Sequence, residues 1–124
     1  MIVGSGNGQL LFILQAAGYL NLSGCDFSPA SIELSTAIAK ERQVTDINFL
    51  RRDVIAGEMK DDGFFGLICD KGTYDAISLS NETIDDRALR TFYPKRVADL
   101  LSPDGVFLIT SCECMLWQIK RNRR

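Results

Sequence analysis

The sequence predicts an α/β fold, a doubly wound and mostly parallel sheet of about five strands. Two observations predict it: short apolar runs alternate with stretches of helical periodicity, and a glycine-rich bend stands between the first run and the first helix. With 124 residues, of which 46% are hydrophobic, the chain has the length of one compact domain with a core of its own. We place that core over residues 1–114 and read residues 115–124 as a divergent basic tail.

The elements follow in order. Residues 1–3 form a strand stub and residues 4–8 a tight loop. Residues 9–17 form a helix with Leu10, Leu11, Ile13, Leu14 and Ala17 on an apolar face, ended by Gly18. Residues 20–25 form a second strand that stops at Asp26. Ser28 is placed to cap a helix whose first position is Pro29, and that helix runs to about Arg42 with Ile32, Leu34, Ser35, Ile38 and Ala39 facing inward. A third strand, 47–51, precedes Asp53. Residues 64–69 are almost uniformly apolar, which predicts an inner strand buried on both faces and ending at Asp70. A helical pattern over 81–101 is interrupted at Pro94, where a break or a fresh start is expected. A turn at 102–105 leads to a fifth strand, 106–111.

Fourteen basic against sixteen acidic residues give a net charge of -2, the wrong sign for a protein that neutralises many phosphates. Only Lys120, Arg121, Arg123 and Arg124 are locally basic, as a solvated chain end would be. The four cysteines, Cys25, Cys69, Cys112 and Cys114, lie in or beside apolar runs, which predicts buried reduced thiols. The chain has no His and no second close cysteine pair beside Cys112 and Cys114, so no metal site is expected. No apolar run approaches the roughly 20 residues of a membrane span, and Met1 leads straight into the glycine bend without a signal pattern. A soluble monomer is expected, in the cytoplasm and with the nucleus also open to it.

The chemistry-bearing residues fall at strand ends. Gly4, Ser5, Gly6, Asn7 and Gly8 separate a strand from a helix, where glycines let backbone N–H groups approach a ligand. A dinucleotide fingerprint needs a further glycine where Gln9 stands, so the tighter spacing favours a ligand without a diphosphate. Asp26, about twenty residues on, is placed to accept ribose hydroxyls, a role that suits any nucleoside. Asp53 is placed to take a hydrogen from an adenine amino group, with Phe27 and Val54 as ring-packing partners. Taken singly, each has a plainer reading as a turn or a loop acid. Jointly they sit where open α/β sheets bind ligands.

Four stretches carry a resemblance: residues 4–8, residues 24–28, the pair Arg52 and Asp53, and the run Asp70-Lys71-Gly72-Thr73-Tyr74-Asp75. Together they resemble the seven-stranded, Rossmann-like S-adenosylmethionine-dependent methyltransferases. The last run, with residues 107–112, is similar to the protein-lysine methyltransferases of translation elongation factor one alpha, the methyltransferase-like protein ten and elongation-factor methyltransferase four group. The resemblance implies S-adenosylmethionine as cofactor and the elongation factor as protein substrate. It gives Asp70 the cofactor amino group or the incoming amine, and sets Thr73 and Tyr74 at the acceptor entrance, with core packing for Tyr74 and a helix cap for Asp75 as the structural alternatives. The family has an acid where Ile2 stands and continues into a closing hairpin, so the chain reads as shortened at both ends. Open beside this reading are an inactive, scaffold-like isoform, a methyltransferase with a small-molecule acceptor, and a nicotinamide enzyme. The last is disfavoured by Gln9 and by the lack of His or of a Tyr-x-x-x-Lys pair.

Overall fold

The computed structural model describes residues 1–57 and 64–112. Contacts divide the chain into two compact units, Met1–Asp53 and a second that begins at Val54. The expectations placed on Cys114, the basic tail and the boundary at residue 114 lie outside the described residues. Five strands pair in parallel ladders, three in the first unit and two in the second, and helices alternate with them as the α/β class requires.

The first unit runs β1 (Ile2–Val3), α1 (Gln9–Ala16), β2 (Leu22–Asp26), α2 (Pro29–Glu41) and β3 (Ile47–Arg51). β2 lies between the other two, with Val3 beside Cys25 and Asp26 beside Arg51. Parallel neighbours need a crossover between them, and α1 and α2 are those crossovers. Leu11 and Phe12 of α1 are buried, whereas Leu10 and Ile13 are exposed, so the apolar face is narrower than the sequence pattern predicted. Gly24 explains how closely α1 approaches β2. A Cβ there would stand 2.8 Å from the Ser5 Cβ and run into the Leu11 side chain.

Ser28 caps α2 as expected, its hydroxyl accepting the Ser31 N–H at 3.4 Å, with Pro29 in the first turn. Ser35 and Ala39, four apart, form the buried line of α2. Leu34 is exposed rather than inward, because one residue along a helix turns the side chain about 100° from that line.

The second unit contains β4 (Phe65–Lys71), α3 (Thr73–Leu79), β5 (Thr83–Ile84), β6 (Arg87–Ala88), a 3-10 turn (Leu89–Thr91), α4 (Tyr93–Leu100) and β7 (Leu101–Thr110). β4 and β7 pair in parallel from Leu67 and Val106 to Lys71 and Thr110. Their burial alternates. Ile68, Asp70 and Phe107 are buried while Leu67, Val106 and Leu108 are exposed, which corrects the expectation of a strand covered on both faces.

Residues 81–88 are not helical, and residues 89–91 form only a 3-10 turn, a second correction. Asp85 and Asp86 take φ of 49° and 60°, the pair of left-handed residues that a tight two-residue hairpin needs, and β5 and β6 pair antiparallel across them. Helical periodicity in the side chains gave way to turn chemistry that aspartate tolerates. The fresh start at Pro94 did form, in the first turn of α4, where a missing N–H costs nothing. The fifth strand begins earlier than expected, at Leu101, and the anticipated turn at 102–105 is a register jump within it. Cys25 is buried and Cys69 partly so, but Cys112 is exposed, against the expectation of buried thiols.

Substituting Gly24→Ala should destabilise the chain by about 1–3 kcal/mol, the usual cost of an overpacked contact. Urea denaturation checks this; a loss of only a few tenths would mean that α1 can move off β2 freely.

Candidate functional site

In the first unit the glycine bend is tied to the end of β2. The Ser5 N–H donates to the Cys25 carbonyl at 2.9 Å, and the Gly8 N–H closes the turn on the Ser5 carbonyl at 2.9 Å. Gly6 has φ 55°, a left-handed conformation that suits glycine, and its N–H points at Oδ2 of Asp26 at 2.9 Å. The other oxygen, Oδ1, accepts the Ser28 N–H at 2.9 Å, and the Asp26 carbonyl accepts the Arg52 N–H at 3.0 Å. Asn7 caps the Gln9 N–H through its side chain at 3.1 Å. The Asp26 carboxylate is therefore held from two sides while 9% of the residue stays exposed.

This arrangement decides which ligands suit the bend. A carboxylate offers about four acceptor positions and these two bonds use half of them, so hydroxyls can still be received. An added Cβ at Gly6 would meet nothing within 4 Å, so the bend has room on the side where that side chain would stand. A phosphate brought to Asp26 would meet a like charge, whereas a neutral or cationic ligand with hydroxyl groups would be attracted. Phe27, next in the chain, is 74% exposed and free to cover an aromatic ring. Asp53, two residues past β3, is exposed at the end of its strand. Val54, which opens the second unit, is buried.

The second unit holds a different carboxylate. Asp70, 2% exposed, accepts the Thr73 N–H at 2.8 Å on Oδ1 and the Tyr74 N–H at 2.9 Å on Oδ2. Oδ2 also accepts the Tyr93 hydroxyl. Asp70 thus performs the capping of α3 that sequence reasoning had offered to Asp75. Burial pushes the Asp70 carboxyl above the ordinary carboxylate range, opposed by those three donors and reinforced by the nearby Asp75 charge. Tyr74 is half-buried and its ring meets that of Tyr93 at 5.7 Å; Tyr93 in turn meets Phe107 at 6.2 Å.

Asp75 faces the end of β7 instead. It accepts the Ser111 hydroxyl and, at 3.0 Å, the Cys112 N–H, and the Ser111 bond chiefly holds its carboxyl below the ordinary range. Sequence reasoning missed Tyr93 and Ser111. Both meet their carboxylates across more than twenty residues of chain; Ser111 stands in the 107–112 stretch that carried part of the resemblance, but nothing there pairs it with Asp75, and Tyr93 stands in no motif.

Comparison with known proteins adds an independent line. The family described as "Methyltransferase domain" matches residues 3–123. The protein-lysine N-methyltransferase efm4 of Schizosaccharomyces pombe is 42% identical over 95% of this chain and 52% of its own length. The human EEF1A lysine methyltransferase 2 is 38% identical over 89% of this chain and 45% of its own length. The chain spans about half the length of the curated relatives it matches. Among solved structures, an S-adenosylmethionine-dependent methyltransferase from Clostridium acetobutylicum superposes with a TM-score of 0.69 at 18% identity, covering 87% of this chain and 40% of that one. The cyclase SpnF gives 0.70 at 16% identity, covering 87% and 36%. These likenesses establish the Rossmann-like fold, and the presence of a cyclase among them shows that the fold alone does not choose the reaction.

The two acids of the second unit should respond to pH with opposite signs. Because its folded value is lowered, Asp75 contributes stability above the ordinary value of 3.8 that is lost as pH falls through the folded value. Asp70, raised in the folded state, instead costs stability as pH rises from its ordinary value through the folded one. The urea midpoint of Asp75→Asn should therefore lie below wild type at neutral pH, and the gap should close as pH drops below about 4. A gap of constant size across that range would contradict an ionised lock between α3 and β7.

Proposed function

This chain belongs to the methyltransferase domain family, and from that membership we propose that it carries the S-adenosylmethionine-binding core, over residues 1–114, of a protein-lysine N-methyltransferase. The proposed acceptor is a lysine of translation elongation factor one alpha. What supports the cofactor is the Asp26 carboxylate, fixed by the Gly6 and Ser28 N–H groups beside a bend with room at Gly6. What supports a lysine acceptor is that relatives 38–42% identical to the chain are named lysine methyltransferases, and what supports the elongation factor is the name of the human relative at 38%, EEF1A lysine methyltransferase 2.

When bound, S-adenosylmethionine supplies a methyl group on a cationic sulfur, open to in-line displacement by a neutral amine. The residues then have separate duties. Asp26 would accept the ribose hydroxyls, and the bend of Gly4, Ser5, Gly6, Asn7 and Gly8 would offer the cofactor a wall made largely of backbone. Phe27, exposed beside Asp26, would cover the adenine, and Asp53 would accept from its amino group. Thr73 and Tyr74 line the acceptor side, where the Tyr74 ring provides an apolar wall that lowers the pKa of an arriving lysine by desolvation. Alignment rather than acid or base strength supplies most of the rate, since well-oriented reactants reach effective molarities of about 10⁵–10⁸ M. Asp70, with three donors on its two oxygens, would serve by positioning the start of α3 rather than as a base.

A second reading has one observation in its favour. Ile2 is buried and apolar where the resembled family places an acid for the methionine part of the cofactor, which suits a chain that binds the cofactor with little turnover. The proposal also takes the protein to act as a monomer in the cytoplasm, with the nucleus open to it, and to bind neither nucleic acid nor membrane.

Transfer of labelled methyl from S-adenosylmethionine to elongation factor one alpha tests the activity; label on the protein supports the enzyme, and cofactor binding without label supports the second reading. Asp26→Ala should weaken cofactor binding by about 1.5–3 kcal/mol, the range for hydrogen bonds to a charged group. Calorimetry that finds equal affinity for variant and wild type removes Asp26 from the site.

A further inference from the structure

Tyr93 opens α4, is 1% exposed, and is used by none of the roles assigned above. Its ring is packed against Tyr74 at 5.7 Å and Phe107 at 6.2 Å, a task that phenylalanine would perform as well. The hydroxyl is what needs explaining, because a buried phenol must find a partner and this one finds a carboxylate. It donates to Oδ2 of Asp70, the oxygen that also accepts the Tyr74 N–H. Oδ1 is meanwhile held by the Thr73 N–H. With donors on both oxygens, the plane of the carboxylate is fixed. So, in turn, is the first turn of α3, which hangs from it.

We propose that Tyr93 is a positioning residue for the methyl acceptor: its hydroxyl orients Asp70 and its ring backs Tyr74, and together they set where Thr73 and Tyr74 stand. This inference rests on the reading of Thr73 and Tyr74 as the acceptor side. Without the hydroxyl, Asp70 keeps one N–H donor on each oxygen, both from its own following turn, but loses the bond that ties its carboxylate to α4, and α3 can shift at its start. Displacements of about 1 Å at a reacting centre can cost a hundredfold in rate. The cofactor contacts assigned to Gly6 and Asp26 belong to the other unit and do not pass through this bond.

The test compares wild type with Tyr93→Phe, which keeps the ring and removes only the hydroxyl. Amide hydrogen exchange should quicken about tenfold at Thr73 and Tyr74 while Ile68 in β4 keeps its protection. In methyl transfer, kcat should fall about tenfold with the KM for cofactor unchanged, and adding Tyr93→Phe to Asp70→Asn should cost little beyond Asp70→Asn alone. Unchanged exchange at Thr73 and Tyr74, a normal kcat, or losses that simply add overturn the inference. A wild-type chain that binds cofactor yet methylates nothing overturns instead the reading on which it rests.

Discussion

The carboxylate of Asp26 accepts one backbone N–H from Gly6 and another from Ser28, and much of the first unit is arranged so that both can reach it. A buried carboxylate without donors is costly, so the end of β2 demands them. Gly6 meets that demand only by taking a left-handed conformation, which places glycine in the bend. Ser28 meets it while its own hydroxyl caps α2. The main-chain carbonyl of Asp26 draws in Arg52 just past the end of β3. Bend, strand end and helix start are thus held together by the protein's own hydrogen bonds.

Asp70 repeats the device with a different outcome. It too ends a strand and accepts backbone N–H groups, but these come from its own following turn, and a third donor, Tyr93, completes the set. Asp26 keeps acceptor capacity and an open neighbour; Asp70 keeps almost no exposure. The contrast separates a carboxylate that retains half its acceptor positions from one whose oxygens already carry three donors. Burial raises the Asp70 carboxyl despite its three donors, so desolvation exceeds what they return and its charge is held against some resistance. Asp75, with the opposite shift, stabilises the same helix from the β7 side.

Much of this was legible in the residues, for local reasons. Ser28 followed by Pro29 acts within a few positions of itself, and the glycines of the bend and the aspartates closing apolar runs are marked by residue type at the strand ends, although Gly6 reaches Asp26 across twenty residues. What was misread depends on longer range. Residues 81–92 carry a helical spacing, but Asp85 and Asp86 turn the chain back as a hairpin that periodicity does not register. The apolar run of β4 suggested two covered faces, yet only the side of Ile68 and Asp70 is buried, and apolar composition does not say which face finds a partner. Tyr93 was read only as part of a helix, since its meaning lies in a bond to a residue 23 positions away.

A fold shared with a cyclase leaves the reaction to the residues at the strand ends, and there Asp26 with the glycine bend carries the account. Following the backbone amide resonances of this chain during titration with S-adenosylhomocysteine tests it most directly. The account predicts that Gly6, Phe27 and Ser28 shift together and saturate as one event. Saturation with those three unmoved, or no response anywhere at concentrations that saturate the longer relatives, would contradict it.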